Sequence, residues 1–319
     1  MRFVDAATVE RLLGYPDLVD VLARQFKDGA HAPLRHHHQI KLAGRPDATL
    51  LLMPAWSANP ADAATAGRYV GIKCVTVFPD NNLRGKPAIY GAYLLLSTET
   101  GEPLALLDAP TLTVWRTAAA SALAARFLAR ADASRMVMIG AGALAPYLIR
   151  AHSSVRPIRH VAIWNRTPDN ARKVAAQFAG APFTVTVAED LEAAVRDADL
   201  VSTATISASP VVKGAWLRPG THVDCVGAYR PDMRESDDDV VRRARVWIDT
   251  RAGGLSEAGD IVMPIRAGVI READIQGDLF DLCRGVAPVR QGPDEITMFK
   301  SVGASIEDLA AAVAVYERL

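Results

Sequence analysis

Residues 140–145 read Gly-Ala-Gly-Ala-Leu-Ala and follow an apolar run, Arg135-Met136-Val137-Met138-Ile139. A strand that gives way to G-x-G-x-x-A and then to an apolar helix can hold the pyrophosphate of a dinucleotide. Gly140 permits the tight turn, and Gly142 lets phosphate approach the backbone. Ala145 lets helix and strand pack closely, and the helix N-terminus attracts the anion. A second strand pattern, His160–Trp164, ends in Asn165-Arg166-Thr167. An NAD enzyme places a carboxylate at this point for the ribose hydroxyls. Here Arg166 can fork onto a 2′-phosphate while Asn165 and Thr167 donate hydrogen bonds, which favours NADP(H) over NAD(H). Arg166 alone also suits a strand end facing solvent.

Three further basic residues bear on anion chemistry. Arg116 falls in the first turn of a helix read over Thr113–Arg130, where the dipole disfavours a cation. A bound anion would remove that conflict, and Thr117 could add a hydrogen bond; a guanidinium reaching solvent would also remove it. Lys73 sits in Val70-Gly71-Ile72-Lys73-Cys74-Val75. It is either buried, needing an anionic partner or a lowered pKa, or it lies on the wet face of an antiparallel strand. Arg35 lies on the polar face of a strand over residues 34–42. Of the adjacent His36-His37-His38, only His36 and His38 share a face, so the run reads as surface strand and no metal site is assigned.

The elements that must position these residues fall into two patterns. Before residue 113, a helix from Pro16 to about Gly29 precedes strands near 34–42, 49–53, 69–77, 90–96 and 104–107, giving a mostly antiparallel sheet. After it, strands at Met136–Ile139, His160–Trp164, Phe183–Val187, Leu200–Ala204, His222–Val226 and Val246–Ile248 alternate with helical stretches. That alternation gives a doubly wound parallel sheet, hence an α/β fold of Rossmann type with an N-terminal α+β domain. A last helix, Ser305 to Leu319, has Ser305 as cap and Asp308 three residues on.

Composition narrows the class. The 319 residues carry 36 Lys plus Arg and 36 Asp plus Glu, so no bulk charge draws the chain to nucleic acid or an anionic membrane. No apolar run is long enough to span a bilayer, and the first residues lack the apolar core of a secretion signal. Cys74, Cys225 and Cys283 form no disulfide or metal pattern and read as buried thiols in a reducing cytoplasm.

Together these segments resemble the ornithine cyclodeaminase/mu-crystallin family over nearly the whole chain. The resemblance is carried by Leu52-Met53-Pro54-Ala55, Gly71-Ile72-Lys73, Thr100-Gly101-Glu102-Pro103 and Arg116-Thr117-Ala118-Ala119. It continues through the 140–145 loop, Trp164-Asn165-Arg166-Thr167, Gly227-Ala228-Tyr229-Arg230-Pro231-Asp232-Met233-Arg234-Glu235 and Phe299-Lys300-Ser301-Val302-Gly303. It implies a homodimer, with residues 1–112 and 300–319 forming the substrate and dimerisation domain and 113–299 the dinucleotide domain. Arg35, Lys73 and Arg116 would grip a substrate carboxylate, with Val302 bordering it. Cofactor contacts would fall on Ala88, Arg116, Ala143, Leu144, Asn165, Arg166, Thr167, Thr203, Thr205, Val226 and Ser301.

The resemblance is closer to the mu-crystallin/ketimine reductase branch. Ornithine cyclodeaminases of the family have an Asp where this chain has Tyr229 and a Glu where it has Leu51, so two groups suited to proton transfer are missing. The expectation is therefore NAD(P)H-dependent reduction of a cyclic ketimine such as pyrroline-2-carboxylate or piperideine-2-carboxylate, with Lys73 holding the proton. The alternatives are an NAD-dependent ornithine cyclodeaminase in which Asp224 or Asp232 substitutes as base, an amino acid dehydrogenase, and a non-catalytic NADPH-dependent ligand binder.

Overall fold

The computed structural model describes residues 1–57 and 68–319. Its strands are β1 (Arg2–Val4), β2 (Ala30–His31), β3 (His36–Ile40), β4 (Ala48–Ser57), β5 (Tyr69–Val77), β6 (Ile89–Ser97), β7 (Pro103–Asp108), β8 (Arg135–Ile139), β9 (His160–Trp164), β10 (Thr184–Val187), β11 (Leu200–Thr203), β12 (His222–Cys225), β13 (Arg245–Ile248), β14 (Ile275–Asp278) and β15 (Thr297–Lys300). The helices are α1 (Ala6–Leu12), α2 (Tyr15–Asp28), α3 (Ala109–Leu128), α4 (Ala145–Val155), α5 (Pro168–Ala176), α6 (Leu191–Asp197), α7 (Asp238–Arg243), α8 (Arg251–Gly254), α9 (Gly259–Arg266), α10 (Leu279–Arg284) and α11 (Ser305–Tyr316). Two units result, Met1–Thr117 with Ala304–Leu319, and Ala118–Gly303.

The first unit is built on a sheet in the order β1-β7-β6-β5-β4-β2, with β3 also paired to β4. All its pairings are antiparallel except β1 with β7. Leu18, Leu22 and Phe26 of α2 recur at helical spacing and are fully buried. The last helix, α11, packs on α2, β4 and β5 and is apolar almost all round, as an enclosed helix should be. Two expectations fail here. Helix α3 begins at Ala109, because the Asp108 carboxylate accepts the Thr111 N–H at 2.8 Å and so caps it four residues earlier than read. Arg116 is thus well inside the helix, and the dipole argument does not apply to it. The cap of α11 is Ala304, whose N–H donates to Glu307 at 3.3 Å; Asp308 is left for another task.

The second unit is an all-parallel sheet in the order β10-β9-β8-β11-β12-β15-β13-β14. Strands β14 and β15 were not expected. Each is four residues long, and Lys300 in one and Gln276, Gly277 and Asp278 in the other break the apolar run that announces a buried strand. The core runs through Val137, Ile139, Val201, Val223, Ile248 and Met298. Cys74 is exposed rather than buried, since it lies on the opposite face of β5 from Lys73.

Candidate active site

In the first unit, β5 turns Gly71, Lys73 and Val75 to its buried face. Lys73 is only 3% exposed, which settles its two readings in favour of burial. Its Nζ lies 2.8 and 2.9 Å from the two carboxylate oxygens of Asp308, and 3.4 Å from Thr113 Oγ1. Arg116, also buried, donates from Nε to Asp308 at 2.9 Å and from Nη1 to Glu307 at 2.6 Å. Both carboxylates belong to the first turn of α11 and have no solvent exposure. An unpaired buried ion would be far more costly than this pairing.

The electrostatics follow from that enclosure. Burial pushes the Lys73 ammonium down to about 8; Asp308 resists, while Arg116 and Arg35 push it lower. Arg35, just before β3, is therefore close enough to act on the same group. Burial works against Arg116, but Asp308 and Glu307 outweigh it and hold the guanidinium above its ordinary value. Burial likewise opposes the Asp308 carboxylate, and Arg116 and Lys73 outweigh it, holding its pKa below the usual range. Tyr93, opposite Lys73 on β6, has a buried hydroxyl raised well above its ordinary value by burial and then by Asp308. Lys73 and Arg116 meet the carboxylates of Asp308 and Glu307, and Arg35 lies close enough to act on Lys73. Cations gathered in this way suit a carboxylate group.

In the second unit, β8 delivers the glycine loop to the N-terminus of α4. Gly140 has φ 104°, and a Cβ there would meet the Ala204 carbonyl oxygen at 2.6 Å, so only glycine fits. A Cβ on Gly142 would meet nothing within 4 Å. The cap of α4, Leu144, offers no side-chain acceptor. Among the described residues the amides of Gly142, Ala143 and Leu144 donate to no protein acceptor. This open cradle of donors at a helix start fits a pyrophosphate. Asn165 stitches it to the next strand: its Oδ1 accepts the Ala141 N–H at 3.1 Å, and its Nδ2 donates to the Thr167 carbonyl at 2.9 Å. Arg166 is exposed and among the described residues pairs with no carboxylate, and Thr167 caps α5 without a side-chain bond. A groove of about 390 Å³ beside this loop is lined by Gly142, Ala143, Asn170 and Lys173 among others.

Thr203 ends β11, Val226 follows β12, and Ser301 and Val302 follow β15, so these candidates gather at the carboxyl ends of adjacent strands. Two buried acids fix them. Glu235 accepts from Thr205 N at 2.6 Å, Thr205 Oγ1 at 2.7 Å and Gly227 N at 2.6 Å. Asp249 accepts from Val302 N and Gly303 N, each at 2.7 Å. Behind Glu235, buried Lys300 lies 3.3 Å from Asp260. Ala88 and Thr117 belong to the first unit; Ala88 accepts the Phe78 N–H at 2.8 Å, and Thr117 is buried on α3.

Glu307, Asp308, Glu235 and Asp249 were missed as functional residues. A pair of acids opening an otherwise apolar helix was the available signal for Glu307 and Asp308, but it also reads as helix capping. Neither acid offered as a substitute base is free for that role. Asp224 is fully enclosed, accepting from Ser202 Oγ at 2.7 Å and meeting His152 Nε2 at 3.0 Å. Asp232 is exposed and bound to Arg230. Tyr229 stands 41% exposed. His36 and His38 stack edge to face with centroids 6.4 Å apart, and among the described residues no three His, Cys, Asp or Glu converge on a metal position.

The model of the ornithine cyclodeaminase/mu-crystallin family matches residues 2–319. The chain is 38% identical over 314 residues to a Delta(1)-pyrroline-2-carboxylate reductase of Paracoccus denitrificans, covering 96% of each. It is 34% identical over 266 residues to the ketimine reductase mu-crystallin of Rattus norvegicus, covering 83% of this chain and 79% of that one. The Thermococcus litoralis Delta(1)-pyrroline-2-carboxylate reductase, solved in complex with NADH and L-proline, superposes with a TM-score of 0.91 at 33% identity, over 100% of this chain and 97% of that one. The chain belongs to the ornithine cyclodeaminase/mu-crystallin family.

Proposed function

We propose that the protein is a nicotinamide-dependent reductase of cyclic imino acids such as pyrroline-2-carboxylate or piperideine-2-carboxylate. The observation that carries this reading is the buried cluster in which Lys73 and Arg116 share the Asp308 carboxylate, with the Lys73 ammonium brought down to about 8. The relatives named for the same reaction support it.

When bound, the reduced nicotinamide supplies the hydride that adds to the imine carbon. Arg35 and Arg116 hold the substrate carboxylate and orient the ring. Lys73 holds the proton at Nζ and gives it to the imine nitrogen. As the new C–H bond forms, the C=N π pair becomes the N–H bond pair, and Lys73 regains a proton from solvent. Positioning and charge are the protein's contributions. In the second unit the dinucleotide would be held by Gly140, Gly142, Ala143, Leu144, Asn165, Thr167, Thr203, Thr205, Val226 and Ser301. Arg166, in a tripeptide Asn165-Arg166-Thr167 that holds no acid, favours NADP(H) over NAD(H).

Purified protein should oxidise NADPH with either imine and release no ammonia from L-ornithine. The engagement of Asp224 and Asp232, the two acids offered as its base, by other groups disfavours a cyclodeaminase. Imine reduction rather than mere retention of NADPH separates the enzyme from a ligand binder. The active form proposed is a cytoplasmic homodimer, to be checked by light scattering on the eluted protein.

A further inference from the structure

Lys73 and Arg116 come from different elements, β5 and α3, and share one carboxylate, that of Asp308. Asp308 is wholly enclosed. Among the described residues Arg116 bonds it through Nε and bonds Glu307 through Nη1, while both Asp308 oxygens meet Lys73 Nζ. We propose that Asp308 is a positioning residue for the reaction, fixing Lys73 Nζ and Arg116 Nε to one anchor so that carboxylate grip and proton delivery occur in one fixed geometry. The destination of that proton rests on the reductase reading; the hold on Lys73 does not.

The charged and titratable groups facing Lys73 are Asp308 from α11, Arg116 from α3, Arg35 ahead of β3 and Tyr93 from β6, with Glu307 acting through Arg116. Among the described residues Asp308 is the one anion in direct contact with Lys73, so its removal leaves the ammonium beside Arg116 and Arg35. Any carboxylate at this distance raises the Lys73 pKa, so the midpoint reads the contact, while kcat in D308E, which keeps the charge, reads the positioning.

The test is a pH titration of Lys73 by NMR in full-length protein carrying lysine isotope-labelled at Cε, with the resonance assigned by K73R. It is run on wild type, D308N and D308E, with folding followed by circular dichroism and kcat/KM for pyrroline-2-carboxylate measured across pH. In D308N the Lys73 midpoint should fall by about one to three pH units, the alkaline limb of kcat/KM should move with it, and D308E should restore the midpoint. An unmoved midpoint in folded D308N overturns the proposal. If D308N does not fold, D308E decides: the charge and midpoint persist while kcat falls about tenfold or more from misplacement, and a wild-type kcat there overturns the role. A wild type silent toward the imine, with the Lys73 shift intact, strikes the reductase reading and upholds the hold of Asp308 on Lys73.

Discussion

Asp308 stands 2.8 Å from Lys73 Nζ, joining the first turn of the last helix to the centre of the N-terminal sheet across 235 residues of sequence. The cationic site is therefore complete only when the C-terminal helix has docked. Chemistry at Lys73 and packing of α11 are one arrangement.

Lys73→Ala removes the proton donor and one arm of the carboxylate grip. Turnover of pyrroline-2-carboxylate should fall by about two to four orders of magnitude, the usual contribution of a positioned acid. Affinity for NADPH, read by fluorescence titration, should change less than about twofold, because the loop at Gly140–Leu144 is untouched. Near-normal turnover would remove Lys73 from the mechanism.

The pH profile has a definite sign. The lysine must be protonated to act, and burial has brought its pKa down to about 8. Activity should be held below that value and decline as pH rises through it, as an alkaline limb in kcat/KM. A limb that stays flat to the pH where an ordinary lysine titrates would mean that another group delivers the proton.

Cofactor choice should depend on Arg166, which is exposed just past the end of β9. Arg166→Ala should raise KM for NADPH about tenfold or more while leaving KM for NADH within about twofold, since only the former offers a 2′-phosphate to a guanidinium. Equal effects on both would assign Arg166 to a surface role.

The fold and the glycine loop were legible because they rest on local rules. Gly140 and Gly142 follow an apolar strand, and the strand at His160–Trp164 matches its expected bounds. Lys73 and Arg116 were legible as cations in awkward places and Arg35 only through the family resemblance, although the reason given for Arg116 was mistaken. Its helix starts at Ala109, and burial, not the dipole, creates the demand for an anion. Asp308 was not legible. A carboxylate one turn into a helix satisfies a local rule so well that nothing in the sequence points to a lysine 235 positions away. Strand β15 was hidden for a related reason: Lys300 is fully buried near Asp260, and that contact comes from a distant helix.

His222 gives a test of stability rather than activity. It is wholly buried, and burial lowers its pKa from 6.5 to about 3. The folded state therefore refuses a proton that the unfolded state accepts, so stability is full above pH 6.5 and is lost as pH falls toward 3. This residue alone should cost about 2 kcal/mol at pH 5. His222→Asn should flatten that part of the curve in urea unfolding followed at several pH values. An unchanged slope would mean that His222 takes up its proton in the native state.

The central claim is imine reduction, and the most direct measurement is loss of nicotinamide absorbance when purified protein meets NADPH and pyrroline-2-carboxylate, with L-ornithine and NAD assayed in parallel for ammonia. The account expects rapid NADPH oxidation with the imine and no ammonia from ornithine. Ammonia from ornithine, with no reduction of the imine, would contradict it and require a base other than the enclosed Asp224 and the paired Asp232.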